Sequence, residues 1–515
     1  MSKTMTMPHL KIARTSALAA MLPALLLAGC RVGPKYQVPT TVATAPPATY
    51  HEVPAADADG WKPAQPSDAM LRGKWWEVFG EPELNTLEDQ LNANNQNIRV
   101  QFENFMAARE LIAQARASLY PTVAVGPTYN RSGTSANIVN GTGATAGSGG
   151  SNKTTSVGSV PFSASWEPDL WGRVRNTIRE NQYNAQLSAA DLENERLTEQ
   201  ASLAAFFFEL RGQDALRHIY DETIAADKQA LEYNQAQYEF GITDKISVVE
   251  AQNTLQNAMA ASLNLGVARA QYQHAIAMLI GVNPSSFTVP ERAVLRTAPP
   301  LPIGIPSQLL QRRPDIAAAE RQMAAGNAAI GVATAAYYPS LTLSATGGLQ
   351  SSSWKHLFDI ASRYWSIGPT FSETIYDAGL RHAELNQSIF TYNARVATYR
   401  QTVLTAFQQV EDGLSTVRIL GDQIKQQQQA ADSATEFVRL ETDRFQLGLD
   451  PYIDVVTAQT TLLNDRQTLA SLQIQQMTAS VNLIEALGGG WDTTDLPTPA
   501  DVSRKITRGE VQIDK

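Results

Sequence analysis

The one thiol in this 515-residue chain, Cys30, closes the run Leu27-Ala28-Gly29-Cys30 at the end of an apolar N-terminal stretch. With no second cysteine, it has no internal disulfide partner. Stability in an oxidising envelope must therefore come from packing or assembly. The other side chains able to do chemistry are dispersed. His9, His51, His218, His274, His356 and His382 lack ligand spacing, so no metal site is expected. No nucleophile, base and charge stabiliser can be assembled from neighbouring motifs, which argues against an enzyme. Asp454 and Thr457 stand i, i+3 on one helix face shortly after a glycine turn.

Residues 1–29 carry Lys3, Lys11 and Arg14 and no acid, then an apolar core from Ala17 to Leu27 and small residues, the layout of a secretory signal. The stretch is too short to span a bilayer, so it reads as a cleaved address. Leu-Ala-Gly-Cys resembles a bacterial lipoprotein box, in which the thiol is acylated, with palmitate among the chains, and the polypeptide is cut just before it. Cys30 then becomes the lipid-bearing first residue, and that covalent lipid is the only non-protein group expected, with no cofactor. In such lipoproteins an Asp at the next position favours the inner membrane. Arg31 stands there, which favours the outer one. Loss of the three signal cations from 41 leaves 38 Lys+Arg against 50 Asp+Glu, a net charge of −12 that argues against nucleic acid as a partner. No later stretch reaches 18 consecutive apolar residues, so entry into a bilayer must be as a β-barrel.

The elements behind these residues come in duplicate. Residues 31–68, rich in Pro, Ala and Thr, read as an extended tether, and a compact body begins at Lys74-Trp75-Trp76. From Ile98 to Val125 the sequence aligns with Ile316 to Leu343 at an offset of 218, matching Tyr120-Pro121 with Tyr338-Pro339. Residues 238–255 align with 445–462 at an offset of 207, where Gly241, Val248, Ala251 and Gln252 recur as Gly448, Val455, Ala458 and Gln459. The expected organisation is a signal over 1–29, a lipidated tether over 30–73, a first repeat over 74–283, a second over 284–488, and a tail over 489–515.

Each repeat holds two segments of period-two alternation. Val123, Val125, Pro127 and Tyr129 alternate with small or hydroxyl residues, as do Val160, Phe162, Ala164 and Trp166. In the second repeat Leu341, Leu343 and Ala345 do the same, followed by Trp365, Ile367, Pro369 and Phe371. One face is apolar and aromatic while the other carries hydroxyls and glycine, which fits a transmembrane barrel with a wet lumen. Four strands cannot close a barrel, so several protomers must share one. Ser132–Gly158 and Gln350–Arg363 read as loops, the second with a helical turn. Between the strand pairs no proline occurs from Pro168 to Pro284 or from Pro369 to Pro451, which predicts long helices broken at Gly241 and Gly448. The first arms, near 175–240 and 382–447, would span on the order of 100 Å. A further helix, rich in alanine, is predicted from Pro314 to Ala336.

Trp75-Trp76-Glu77-Val78-Phe79-Gly80-Glu81-Pro82-Glu83-Leu84, Trp166-Glu167-Pro168-Asp169-Leu170-Trp171-Gly172-Arg173 and Arg312-Arg313-Pro314-Asp315-Ile316 resemble signatures of the TolC/OprM-type outer-membrane factors. The likeness is to their NodT-family lipoprotein branch. It covers nearly all of residues 30–490, with one departure at Ser372-Glu373-Thr374-Ile375-Tyr376-Asp377, where the family usually has a proline and phenylalanine before the aspartate.

The resemblance implies an α+β membrane protein. Three protomers would each give four strands to a 12-stranded barrel, continued by a long α-helical barrel across the periplasm and girdled by a mixed belt. It implies a homotrimer in the outer-membrane lipid of a Gram-negative bacterium that conducts small molecules such as drugs outward, passively, from an inner-membrane pump and a periplasmic adaptor. The tips Gly241-Ile242-Thr243 and Gly448-Leu449-Asp450 would dock the adaptor, and Asp454 would sit at the periplasmic constriction, with Thr457 in place of a second carboxylate found in some relatives. Rival readings are a metal-ion or protein-secretion exit duct of the same fold and a non-conducting structural envelope lipoprotein.

Overall fold

The computed structural model describes residues 31–38, 50–52, 73–133, 154–292, 298–299 and 311–506. Cys30 and the signal lie outside the described residues. The elements run α1 (Pro82–Asn94), α2 (Gln96–Ala117), β1 (Thr122–Val125), β2 (Thr128–Gly133), β3 (Thr154–Trp166), α3 (Arg173–Glu239) and α4 (Lys245–Leu279). They continue with α5 (Pro314–Ala335), β4 (Ser340–Ser351), β5 (Arg363–Ser372), α6 (Leu380–Gln446), α7 (Tyr452–Ala486) and the short α8 (Pro499–Val502).

Helices of 22, 67 and 35 residues occur in that order in each half. Without proline to interrupt it, a 67-residue helix runs about 100 Å. It cannot bury a face alone, and α3 packs on α2, α4, α5 and α7 while α6 packs on α5 and α7. No described helix is long and apolar enough to cross a membrane.

All described strands join one antiparallel sheet in the order β1-β3-β4-β5, with β2 also paired to β3. The sequence reads 122–129 as one strand; the structure divides it. Pro127 brings no N–H, and Gly126 reaches β3 through a single bond from its amide to the Pro161 carbonyl at 3.3 Å. The expected loop Ser132–Gly158 is shorter than its sequence suggests, because Ser132 and Gly133 pair with Thr155 and Thr154. The segment after Gln350 does contain two short helical turns, Trp354–His356 and Ile360–Ser362.

Cross-strand register explains the alternation. Val125 faces Phe162 and Val123 faces Ala164. Ala164 then faces Ala345, and Trp166 faces Leu343. Next, Ala345 faces Ile367 and Leu343 faces Pro369. The apolar set therefore lies on one face, and Ser163, Thr346 and Ser366 line the other. That apolar face is uncovered: Val123, Trp365 and Ile367 are 74%, 79% and 74% exposed.

The buried core lies midway along the helices, where Trp75, Trp76, Phe79, Leu84 and Leu91 pack on Leu203, Phe207, Leu210, Ile276 and Ile484. A buried ionic cluster ties the segment after Pro284 to this belt. Arg211 donates to Asp214 at 2.9 Å, Arg269 donates to the other Asp214 oxygen at 2.6 Å, and the Arg292 amide adds a third bond at 3.1 Å. After Trp491 the described part of the tail packs on α3 and α5 and sets Val502 against Ile112, Val174 and Ile178. The described parts of residues 31–73 are docked rather than free. Tyr36 donates to Glu320 at 2.5 Å, and the His51 amide donates to Glu411 at 2.8 Å.

Candidate functional site

The predicted tips are the ends of the two long hairpins. α3 stops because Gly241 adopts φ +70°, which lets its amide reach Tyr238 at 3.0 Å and the Ile242 amide reach Gln237 at 2.9 Å. Gly448 repeats the arrangement at φ +72°, with bonds to Phe445 at 2.9 Å and from Leu449 to Arg444 at 3.0 Å. Both glycines face open space, so their requirement is conformational.

The two tips differ in how the return helix starts. Asp244 caps α4 by accepting from Ile246 and Ser247 at 3.1 and 3.2 Å. The second tip enters α7 through Pro451, and Asp450 turns back to pair with Arg444, Nη2 to Oδ1 at 2.9 Å. That pair holds the Asp450 carboxyl below its usual range, chiefly by hydrogen bonding to the guanidinium.

Of the six tip residues, Gly241, Ile242, Gly448 and Leu449 are exposed, while Thr243 and Asp450 are half-buried. Thr243 contacts Ser247 at 3.3 Å. Phe240 and Leu447, 80% and 74% exposed, complete an apolar rim that sequence reasoning missed, because residues at a helix end give no burial signal of their own.

Asp454 lies in the first turn of α7 and is exposed, as is Thr457 one turn on. The Thr457 hydroxyl donates to the Ile453 carbonyl at 2.8 Å, leaving Asp454 as the charged group of that face.

The start of α7 is fastened to the first hairpin. Tyr233 meets Phe445 edge-on at 5.9 Å, and Phe445 packs on Tyr452 at 5.3 Å. Tyr452 and Val455 bury themselves with Ala251 beside Ala230 and Leu231. Asp227, 2% exposed, has its Oδ2 without a hydrogen-bond partner, and burial lifts its pKa to about 6. Its charge in turn helps raise that of Tyr452, after burial. The Asp244 cap was readable as an acid just before a helical pattern, whereas the burial of Asp227 is set by partners distant in sequence. Among the described residues no group of three or more His, Cys, Asp or Glu could hold a metal ion.

Residues 87–282 and 305–489 match the family of outer membrane efflux proteins. The chain is 30% identical over 485 residues to the solvent efflux pump outer membrane protein SrpC of Pseudomonas putida, spanning 92% of this chain and 98% of that one. It is 29% identical over 479 residues to the probable efflux pump outer membrane protein TtgC of the same species, with 92% and 96% covered. Among solved structures, the outer-membrane channel OprN superposes with a TM-score of 0.78 at 26% identity, over 90% of this chain and 100% of that chain. The CmeC outer membrane channel of Campylobacter jejuni also gives 0.78, at 20% identity over 93% and 100%, a likeness of fold.

Proposed function

Because the chain belongs to the outer membrane efflux protein family, whose members serve in the outer membrane of Gram-negative cells, we propose that it is the passive exit duct of a tripartite efflux assembly. The observation that carries this reading is the sheet. Its apolar face is exposed in register across the described strands, and its outer members β1, β2 and β5 leave edges that no described residue pairs. An open edge in a bilayer costs several kcal/mol per unsatisfied group, so the edges must meet those of other copies. Three copies of a sheet four strands wide would close a 12-stranded barrel, with the paired long helices continuing it into the periplasm.

The duplicated 22-, 67- and 35-residue helices support two tandem repeats over 74–283 and 284–488. In this reading 1–29 is the signal, 30–73 a lipid-bearing strap starting at Cys30, and 489–515 a tail along the helices. The apolar rim of Phe240, Ile242, Leu447 and Leu449 receives a periplasmic adaptor. Asp454 from each copy forms a ring at the entrance. Opening is a population shift in which the adaptor favours the form with α7 swung away from α3. The duct catalyses no reaction. Its cargo is small and apolar, the class named for relatives that export solvents and toluene.

Reconstitution tests this. Purified protein in planar bilayers is expected to conduct as trimers, and restored solvent resistance in a strain lacking its own duct would support the cargo. Stable trimers that never conduct would revive the spacer reading.

A further inference from the structure

We propose that the acyl chain on Cys30 lies in an apolar groove on this chain's own sheet, making the lipid a wedge against the barrel wall rather than a free anchor. The proposal rests on the acylated, barrel-inserted reading above. The groove has a volume of about 420 Å3. One rung of its lining is Trp166, Leu343 and Pro369, and the next is Ala164, Ala345 and Ile367. Side-chain size shapes it. The two alanines, opposite one another, form a low floor, and Trp166 is a fixed wall because its indole donates to the Leu119 carbonyl at 2.9 Å. Ile367 stands 74% exposed on the other side.

The occupant follows from the placement of Arg31, the residue bonded to Cys30. Residue 30 precedes Arg31, which is pinned at the corner between β3 and α3: a Cβ on Gly172 would lie 2.6 Å from Arg31 Cγ. The Val32 amide donates to the Trp171 carbonyl at 3.1 Å, and Asn176 donates to the Val32 carbonyl at 3.0 Å. Trp171 in turn donates to the Pro339 carbonyl at 2.7 Å and stacks on Tyr338 at 4.8 Å, which joins this corner to the foot of β4. From Pro339 to Leu343 is four residues of chain, about 13 Å along the strand. A membrane acyl chain reaches about 15 Å, half the hydrocarbon thickness. The lipid therefore starts at the foot of the strands that carry the groove and is long enough to fill it. Phospholipid chains must diffuse to the same site and compete with one that is tethered beside it.

The test uses the full chain expressed in a Gram-negative host fed a diazirine-bearing palmitate analogue, irradiated in its membranes and digested for mass spectrometry. The mass of the N-terminal peptide reports acylation of Cys30 independently of the groove. The expected crosslinks join that lipopeptide to the segments holding Trp166 or Leu343–Ala345. They should fall at least tenfold in Ala345→Trp, which fills the floor; Ala164→Leu serves if that variant fails to assemble. Acylated protein whose N-terminal lipid crosslinks only to bulk phospholipid, or whose groove carries only free phospholipid adducts, overturns the proposal while sparing the duct. An unacylated N-terminus overturns it through the lipid itself, and conductance then reports separately on the duct.

Discussion

The Arg313 guanidinium donates to the carbonyl of Ala486 across 2.8 Å, and so bolts the end of α7 to the start of α5. Asn95 does the same in the first half, donating to the Leu279 carbonyl at 3.0 Å where α4 ends and α2 begins. The chain turns away from each joint at a glycine. A Cβ at Gly281 would lie 2.7 Å from the Asn94 carbonyl, and one at Gly488 would lie 2.1 Å from that of Arg312. Pairs of shorter helices are thereby stacked end to end beside a 67-residue helix, and a helix terminus that leaves carbonyls unpaired gains a donor. Arg313 also forks onto Asp315 at 3.0 and 2.7 Å. Arg313→Met removes the donor from the buried carbonyl and the partner from the carboxylate, so a loss of about 2–4 kcal/mol is expected. Asn95→Ala should cost about 1–3 kcal/mol. Thermal dissociation in detergent measures both, and an unchanged midpoint for Arg313→Met would show that the joint holds nothing.

Asp227 makes stability depend on pH. Its pKa is raised by burial from 3.8 to about 6, so between those values the folded chain keeps a proton that the unfolded chain has lost. Stability contributed at this site is therefore highest below pH 4, falls as pH rises through the window and stays low above it. Asp227→Asn removes the penalty and is expected to raise stability at pH 7.5 by about 1–3 kcal/mol, with little change at pH 4. An equal effect at both pH values would mean that the charge is not the cause.

The aromatic latch beside Asp227 ought to set how readily the duct opens. Phe445 bridges Tyr233 on α3 and Tyr452 on α7, and Tyr452 is 4% exposed. Truncating it to alanine removes an aromatic side chain from the contact that holds α7 in place, at about 3–5 kcal/mol. Tyr452→Ala is expected to raise resting conductance and sensitivity to large antibiotics without lowering the amount of inserted protein. Unaltered conductance in correctly inserted channels would place the gate elsewhere.

The backbone turn from β5 into α6 carries local strain. Ala378 sits at φ +53°, where a Cβ is crowded, between Asp377 and Gly379. Asp377 accepts from the Gly379 amide at 3.0 Å and from Arg381 Nε at 2.6 Å, which holds the turn in place. Ala378→Gly should stabilise the protein by about 0.5–1 kcal/mol, read as a higher midpoint of thermal unfolding.

Period and proline spacing made the long helices and most strands legible, since those signals are local. Val160 to Trp166 and Trp365 to Phe371 alternate because each strand has two unlike surroundings, and the register puts their apolar members on one face. The break at Gly126-Pro127 was harder to read, because proline at a sheet edge is tolerated and its consequence depends on the partner strand. Glycine stops at 241 and 448 were visible for the same local reason. The inward turn of Asp450 was not, because it needs Arg444 one helical end away, and the burial of Asp227 needs a second hairpin packed over it. Local rules found the tips, and packing decided which tip side chains remain free.

Asp454 and Arg444 bear opposite charge at the second tip, and their balance should govern ion selectivity. Arg444 is engaged by Asp450, with Asp454 among the more distant charges that favour its cationic form. Three carboxylates around a pore, each about 8 Å from a passing cation in water, contribute roughly 0.5 kcal/mol apiece. Together that is about tenfold in favour of the cation and, because an anion is repelled as strongly, about a hundredfold in cation over anion permeability at low salt. Asp454→Ala is expected to remove most of the preference, whereas Arg444→Gln should increase it by freeing Asp450 and deleting the opposing charge. Because the Debye length is about 8 Å at physiological salt and about 3 Å at 1 M, both effects should shrink as salt rises. Reversal potentials across planar bilayers at two salt levels measure this. If Asp454→Ala leaves them unchanged at the lower level, the constriction lies away from the first turn of α7.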